Sequence, residues 1–289
     1  MNNMVRNKKT AILLLTCPDA KGIVANVTKF IFGNDGNILH LEQHIDYETE
    51  TLFMRVEWEL EDSVIKKDFE KEFSPIANKY HMNYTVKLSE EIKNVAIFAS
   101  KEEHCLFEIL LKNKSQELKC NISLVISNHE NLKEICKFLG VDFYLIEKNK
   151  ENKILKEREE FELLKKYKID LIILAKYMQI FTPEFVNKHE NRIINVHHSF
   201  LPAFKGAKPY LQAYNKGVKL IGATAHYVTA DLDKGPIIEQ EVVRVSHRDS
   251  LNDLINRGKD LEKLVLTRAV EKHLENKILV YSNKTVVFE

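Results

Sequence analysis

Short apolar runs and alternating stretches, set between charged amphipathic segments, divide the chain into two differently patterned parts. Residues 11–16 form an unbroken apolar run, as expected of a strand buried on both faces. Residues 22–32 repeat apolar side chains at helical spacing through Ile23, Val24, Val27, Phe30 and Ile31. After the Asp35-Gly36 turn, 37–46 and 52–59 are strand-like, and the short polar link between them predicts an antiparallel hairpin. A charged helix over 63–80 and a strand at 82–88 complete the order β-α-β-β-α-β, the split arrangement of ferredoxin-like domains.

A polar link, 89–93, then precedes a different rhythm. Strands at 94–98, 122–126, 143–146, 171–174 and 193–196 alternate with helices over 105–111, 132–138 and 154–167. That alternation predicts parallel pairing through crossovers, and so an α/β, doubly wound, mostly parallel sheet. Strands at 221–228 and 237–244, a long helix over 250–274 and a terminal strand pair at 278–281 and 285–288 follow. The expected domains are therefore 1–88 and 94–289. In such a sheet ligands bind beyond the carboxyl ends of the strands, which directs attention to the residues after Leu174 and Val196.

Composition narrows the class. Forty-three basic against 42 acidic residues leave a formal charge of +1, so no overall field attracts phosphate backbones or anionic lipid. Neither a nucleic-acid nor a membrane partner is expected. The basic residues Arg6, Lys8 and Lys9 precede an apolar run too short for a signal peptide, and nothing approaches a membrane span. Four cysteines without close-paired spacing point to a reducing compartment, read here as the cytoplasm.

The richest chemistry lies in Asn195-Val196-His197-His198-Ser199-Phe200-Leu201-Pro202, at the end of an apolar strand. Alternation puts Asn195 and His197 on one face and His198 on the other. An imidazole can move a proton near neutral pH and an asparagine amide can donate to a carbonyl oxygen gaining charge, a pairing suited to attack on an acyl carbon. By itself the spacing equally fits two satisfied polar residues at a strand end. A second segment, His226-Tyr227-Val228-Thr229-Ala230-Asp231-Leu232-Asp233-Lys234-Gly235-Pro236, runs a strand into an acidic Gly-Pro turn and offers two carboxylates. His40 and His44 fall on a strand and make an improbable metal pair; Ser199 lacks a nucleophile elbow, and Cys105 beside His104 reads as a helix start. No metal or cofactor is expected.

Together with Phe200-Leu201-Pro202-Ala203-Phe204-Lys205-Gly206-Ala207, these segments resemble the folate-dependent formyltransferase fold of glycinamide ribonucleotide and methionyl-tRNA formyltransferases. The resemblance implies a catalytic set of Asn195, His197 and Asp233, with His226 near that aspartate. Asp233 is preferred over Asp231 because the family's aspartate precedes the glycine by two residues, as Asp233 precedes Gly235. Leu174-Ala175-Lys176-Tyr177-Met178 is similar to the family's pterin-pocket segment. Substrate contacts are thus expected at Leu174, Tyr177, Met178, His226, Asp231 and Gly235.

Where glycinamide ribonucleotide transferases carry a glycine-rich phosphate cradle, this chain has Ala99-Ser100-Lys101-Glu102-Glu103-His104-Cys105, whose two glutamates would repel a phosphate. Water then becomes the natural acceptor. The first segment, Thr16-Cys17-Pro18-Asp19-Ala20-Lys21-Gly22-Ile23-Val24, resembles an ACT domain, which implies a small amino-acid effector near Asp19, Lys21 and Gly22 and a homo-oligomer. An ACT domain ahead of a formyltransferase-like domain is the layout of the formyltetrahydrofolate deformylase family. That layout implies hydrolysis of 10-formyltetrahydrofolate to tetrahydrofolate and formate for one-carbon and purine metabolism. The rival readings are formyl transfer to an amine acceptor and a non-catalytic folate- or amino-acid-binding regulator. A methionyl-tRNA acceptor is disfavoured because the chain ends soon after the long helix.

Overall fold

The computed structural model describes residues 9–60, 68–203 and 208–289. Part of the helix expected from 63, and the Phe204-Lys205-Gly206-Ala207 motif, fall outside the described residues. The chain divides into two compact units: residues 1–92 with 275–281 and 286–289, and residues 93–274 with 282–285.

In the first unit, β1 (Thr10–Pro18), β2 (Asn37–Asp46), β3 (Thr51–Glu59) and β4 (Asn83–Leu88) form an antiparallel sheet in the order β2-β3-β1-β4. Two helices, α1 (Ile23–Gly33) and α2 (Phe69–Tyr80), supply the crossovers. The central position of β1 explains its unbroken apolar run, since both of its faces are covered. Ala11, Leu13 and Leu15 join Val56 and Trp58 against Ile23, Val27 and Ile31 of α1 and Phe69 and Phe73 of α2. Full burial of side chains of this size stabilises by about 1.5–3 kcal/mol each. Asp68 starts α2 by accepting from the Lys71 N–H at 3.1 Å.

The other face of β1 meets the chain terminus. Ile12, Leu14 and Phe53 are covered by Leu279 and Tyr281 of β12 (Ile278–Tyr281), Val286 of β13 (Lys284–Val287) and Phe288. The sequence expectation that 94–289 forms one domain is therefore corrected, because most of the terminal segment packs its alternating apolar side chains on the first sheet. Arg55, 4% exposed, donates to the carbonyls of Asn276 and Glu275 and pairs with Glu57, fixing where the terminal segment lies.

The second unit is built on a seven-stranded sheet in the order β11-β10-β9-β8-β5-β6-β7. Its strands are β5 (Asn94–Ala99), β6 (Asn121–Ser127), β7 (Asp142–Leu145), β8 (Leu171–Ala175), β9 (Ile193–His197), β10 (Leu220–Tyr227) and β11 (Ile237–Arg244). The strands from β7 to β9 pair in parallel, and β10 and β11 are added antiparallel. The helices are α3 (His104–Lys114), α4 (Lys133–Leu139), α5 (Lys153–Lys166), α6 (Pro183–Lys188), α7 (Pro209–Lys216) and α8 (Leu251–Leu274). Side chains of α5 and α6, among them Leu164, Phe185 and Val186, pack with Ala96, Phe98, Leu124, Ile126, Ile172 and Leu174 from one face of the sheet. The long α8 lies along β9, β10 and β11 and against α3 and α7. Sheet order reverses between β5 and β8, so the crevice beyond their carboxyl ends is the topological switch point.

Candidate active site

Strand pairing brings the candidate residues together before any side-chain contact is considered. In the antiparallel register of β9 with β10, Asn195 stands opposite His226 and His197 opposite Thr224, while on the other side Asn195 stands beside Leu174 of β8. A register shift in β10 at Ala225/His226 releases the strand toward the acidic turn. That turn carries Asp233 back in a left-handed conformation, φ 53°.

Proton positions follow from the hydrogen bonds. Nδ1 of His226 lies 2.8 Å from the Tyr227 carbonyl oxygen, which only accepts, so Nδ1 carries the proton. Burial pushes His226 below its ordinary value, and the ring is neutral with a bare Nε2. Asn195 must then turn its amide nitrogen to that Nε2, at 3.2 Å. Its second N–H is left to meet an incoming oxygen.

The glycine of the turn has a steric explanation. A Cβ on Gly235 would sit 1.8 Å from the Tyr227 carbonyl oxygen, the group that holds His226. Gly235 therefore keeps open the space that lets the Tyr227 carbonyl hold His226.

His197 is 5% exposed, with Nδ1 3.3 Å from Asp233 Oδ1. Its Nε2 is buried without a partner among the described residues. Asp233 Oδ1 also lies 3.8 Å from His226 Nε2. The hydrogen bond from His197 outweighs burial and holds the Asp233 carboxyl below its ordinary value, so it is an anion at neutral pH. The result is a buried imidazole with one nitrogen on a carboxylate, the other free, and an amide donor on the same strand face. Such a set can stabilise an oxyanion and move a proton.

Several expectations change. His198 does not point away from His197; the strand ends at His197 and the two rings stack at 4.9 Å and 18°. Strand alternation has no hold beyond the last paired residue. Asp231 pairs with Lys234 at 3.1 Å, its side chain 71% exposed, and is not brought to the histidines. Tyr177 is 5% exposed with its hydroxyl on Glu160 and its ring against Phe98 and Phe181, so its side chain belongs to the core. Met178 is exposed, and its N–H is fixed by Ser100 Oγ at 3.1 Å. Ser199 is committed to the Ala203 carbonyl at 2.6 Å. In the first unit, Asp19, Lys21 and Gly22 lie exposed on the loop leading into α1, with Gly22 at φ 90°.

Sequence reasoning missed a second polar cluster beside His198. Glu262 of α8, 1% exposed, is met by His104 at 2.7 Å, Tyr210 at 2.7 Å and Lys176 at 3.2 Å. Burial pushes its carboxyl up, but these hydrogen bonds and the Lys176 charge more than offset that, holding it down to about 2. Its members come from positions 104, 176, 210 and 262, so no local spacing announces them.

Ligand-type atoms of His104, Cys105 and Glu262 fall within 4.8 Å of one another. Burial, then the Glu262 charge, holds the Cys105 thiol above its ordinary value, and both Glu262 oxygens are already engaged, which makes the set a poor cation cage. A cavity of about 350 Å³ behind His198, lined largely by apolar residues of α7 and β10, reaches Tyr210 but none of Asn195, His197 and Asp233.

Comparison with known proteins gives this geometry a lineage. The Formyl transferase family profile matches residues 93–270. A Synechocystis protein named formyltetrahydrofolate deformylase is 51% identical over 96% of this chain and 98% of its own. A Bacillus subtilis protein of the same name is 47% identical over 98% of this chain and 95% of its own. The crystal structure of a formyltetrahydrofolate deformylase from Pseudomonas syringae superposes with a TM-score of 0.95 at 42% identity, covering 99% of this chain and 96% of that one. With a two-unit fold matched end to end, the chain belongs to the formyl transferase family and, within it, to the formyltetrahydrofolate deformylases.

Proposed function

We propose that this chain hydrolyses 10-formyltetrahydrofolate to formate and tetrahydrofolate in the cytoplasm, with Asn195, His197 and Asp233 as its catalytic set. The observation that carries the residue assignment is the unpartnered, buried Nε2 of His197 beside a carboxylate held as an anion.

The formyl oxygen lies against the free N–H of Asn195, and a water held between Asp233 and the bare Nε2 of His197 attacks the formyl carbon. A C–O bond forms, the carbonyl electrons move onto oxygen, and the water's proton passes to His197 Nε2, the imidazolium being stabilised through Nδ1–H by Asp233. Asn195 and the protonated His197 stabilise the oxyanion. His197 then delivers a proton to N10, because an arylamide anion is a poor leaving group, and the C–N bond breaks. Tetrahydrofolate leaves with that proton on N10, and the second proton of the water is released to solvent as formate leaves as the anion.

The exposed loop bearing Asp19, Lys21 and Gly22 supports binding of a small amino acid by the first, ACT-like unit, with association of like units into a homo-oligomer. Calorimetry with the common amino acids tests the first point, and a sedimentation measurement tests the second.

For the reaction itself, the purified protein is incubated with 10-formyltetrahydrofolate and no amine, following tetrahydrofolate and formate together. Equal release of both is expected. Bound folate without release would return the reading to formyl transfer or to a binding protein.

A further inference from the structure

Beyond the carboxyl ends of β5 and β8, where open α/β sheets ordinarily receive ligands, this chain places its own charged side chains. His104 opens α3 after β5, Lys176 follows β8 at φ 60°, Glu262 reaches in from α8 and Tyr210 from α7. Tyr210 is seated by the bare backbone of Gly258, where a Cβ would lie 2.1 Å from the phenol ring. From this cluster Lys176 extends to His198, its Nζ 3.4 Å from Nδ1. His198 in turn stacks on His197.

We propose that Lys176, charge-balanced by Glu262, is a positioning residue of the hydrolytic site: it pins His198 as a neutral ring behind His197, so that His197 can take up and deliver the proton of the reaction. This rests on the functional reading above.

Lysine has only donors, so the nitrogen that faces it must be a bare acceptor, and the single proton of His198 sits on Nε2. Burial, then the charges of Lys176 and His197, takes His198 down to about 4, leaving no second cation stacked on His197 during turnover. Glu262 completes the arrangement by cancelling the Lys176 charge before it can oppose a proton on His197. The charged and titratable groups facing His198 are Lys176, His197, Tyr210, Glu262 and Asp233; those facing Glu262 add His104 and Cys105.

The test uses the full-length protein. In Glu262→Gln the lysine charge is unbalanced, so kcat falls about tenfold, KM stays within about twofold, and the kcat–pH profile moves to lower pH. In Lys176→Met the profile moves the opposite way, and Lys176→Arg restores most of the rate at the parental profile. Equal losses in folded variants with an unmoved profile, or a change confined to KM, overturn the proposal.

Should the Glu262 variant not fold, nitrogen-15 spectra of the imidazoles in the parental protein decide: a proton on His198 Nε2 supports the proposal and one on Nδ1 overturns it. Failure of the functional reading is distinct, since it shows as absence of formate release from the parental protein at every pH.

Discussion

An asparagine amide can present its nitrogen or its oxygen to a substrate, and at Asn195 the choice is made by the proton on His226. With Nδ1–H held by the Tyr227 carbonyl, His226 offers a bare Nε2 and the amide must show it a donor. Removing a single oxyanion donor costs about 2.7–4 kcal/mol of barrier, so Asn195→Ala should lower kcat by about 10²–10³. His226→Leu frees the amide to turn its oxygen inward, and it should lose nearly as much. The double variant should lose little more than either single change, because both remove the same donor. Steady-state kcat for the three variants checks this; additive losses would mean that His226 acts on its own. The same geometry makes Gly235→Ala costly, because its methyl would displace the carbonyl that orients His226. Its kcat should fall more than its KM changes. Much of this site was legible in the sequence: Asn195 and His197 share a face by alternation, and their resemblance to a known motif singled out Asp233 over Asp231. What was not legible depends on non-local contact. His198 stacks on His197 because the strand stops there, and the Glu262 cluster joins residues far apart in the chain.

At the scale of elements, the strands were readable because their apolar runs are short, bounded and rich in branched side chains. The two helices absent from the sequence reading, α6 and α7, are 6 and 8 residues long. Each nevertheless begins with proline in its first turn, and Thr182 caps α6 by accepting from the Phe185 N–H at 3.3 Å. The terminal strand pair was readable as strands, but nothing local says which sheet face it will cover. Its packing gives a prediction. Phe288 is 3% exposed against Ile12, Leu14 and Phe53, so Phe288→Ala should destabilise the first unit by about 3–5 kcal/mol. Hydrogen exchange should accelerate in β1 and β3, with little change in β5 or β8. Uniform acceleration across both sheets would show that the two units unfold as one.

For the molecule as a whole, the buried and half-buried histidines set an acid limit on stability. Burial, then the Lys176 and His197 charges, lowers His198 from 6.5 to about 4. His189, His226 and His273 are also held below 6.5, with burial the first cause in each. An unfolded chain binds protons at these rings as pH falls below 6.5 while the folded chain does not, so the unfolded state binds more protons and stability rises with pH. The contribution is therefore full above pH 6.5 and is lost as pH falls toward the folded values. At about 1.4 kcal/mol per pH unit, His198 alone forfeits about 3 kcal/mol by pH 4. Carboxylates held low act in the same direction but later. Glu262, down to about 2, keeps its contribution until the pH drops below the ordinary carboxylate range. Glu160 opposes both: burial raises it to about 7, so its ionisation costs stability above the ordinary carboxylate value. Four rings against one carboxyl settle the sign. Denaturant midpoints measured from pH 7.5 to 4 should fall, with the decline beginning near 6.5, and His198→Asn should flatten it. A midpoint that holds steady down to pH 5 would mean that these rings take up protons in the folded state, and that His198 is not kept neutral beside His197.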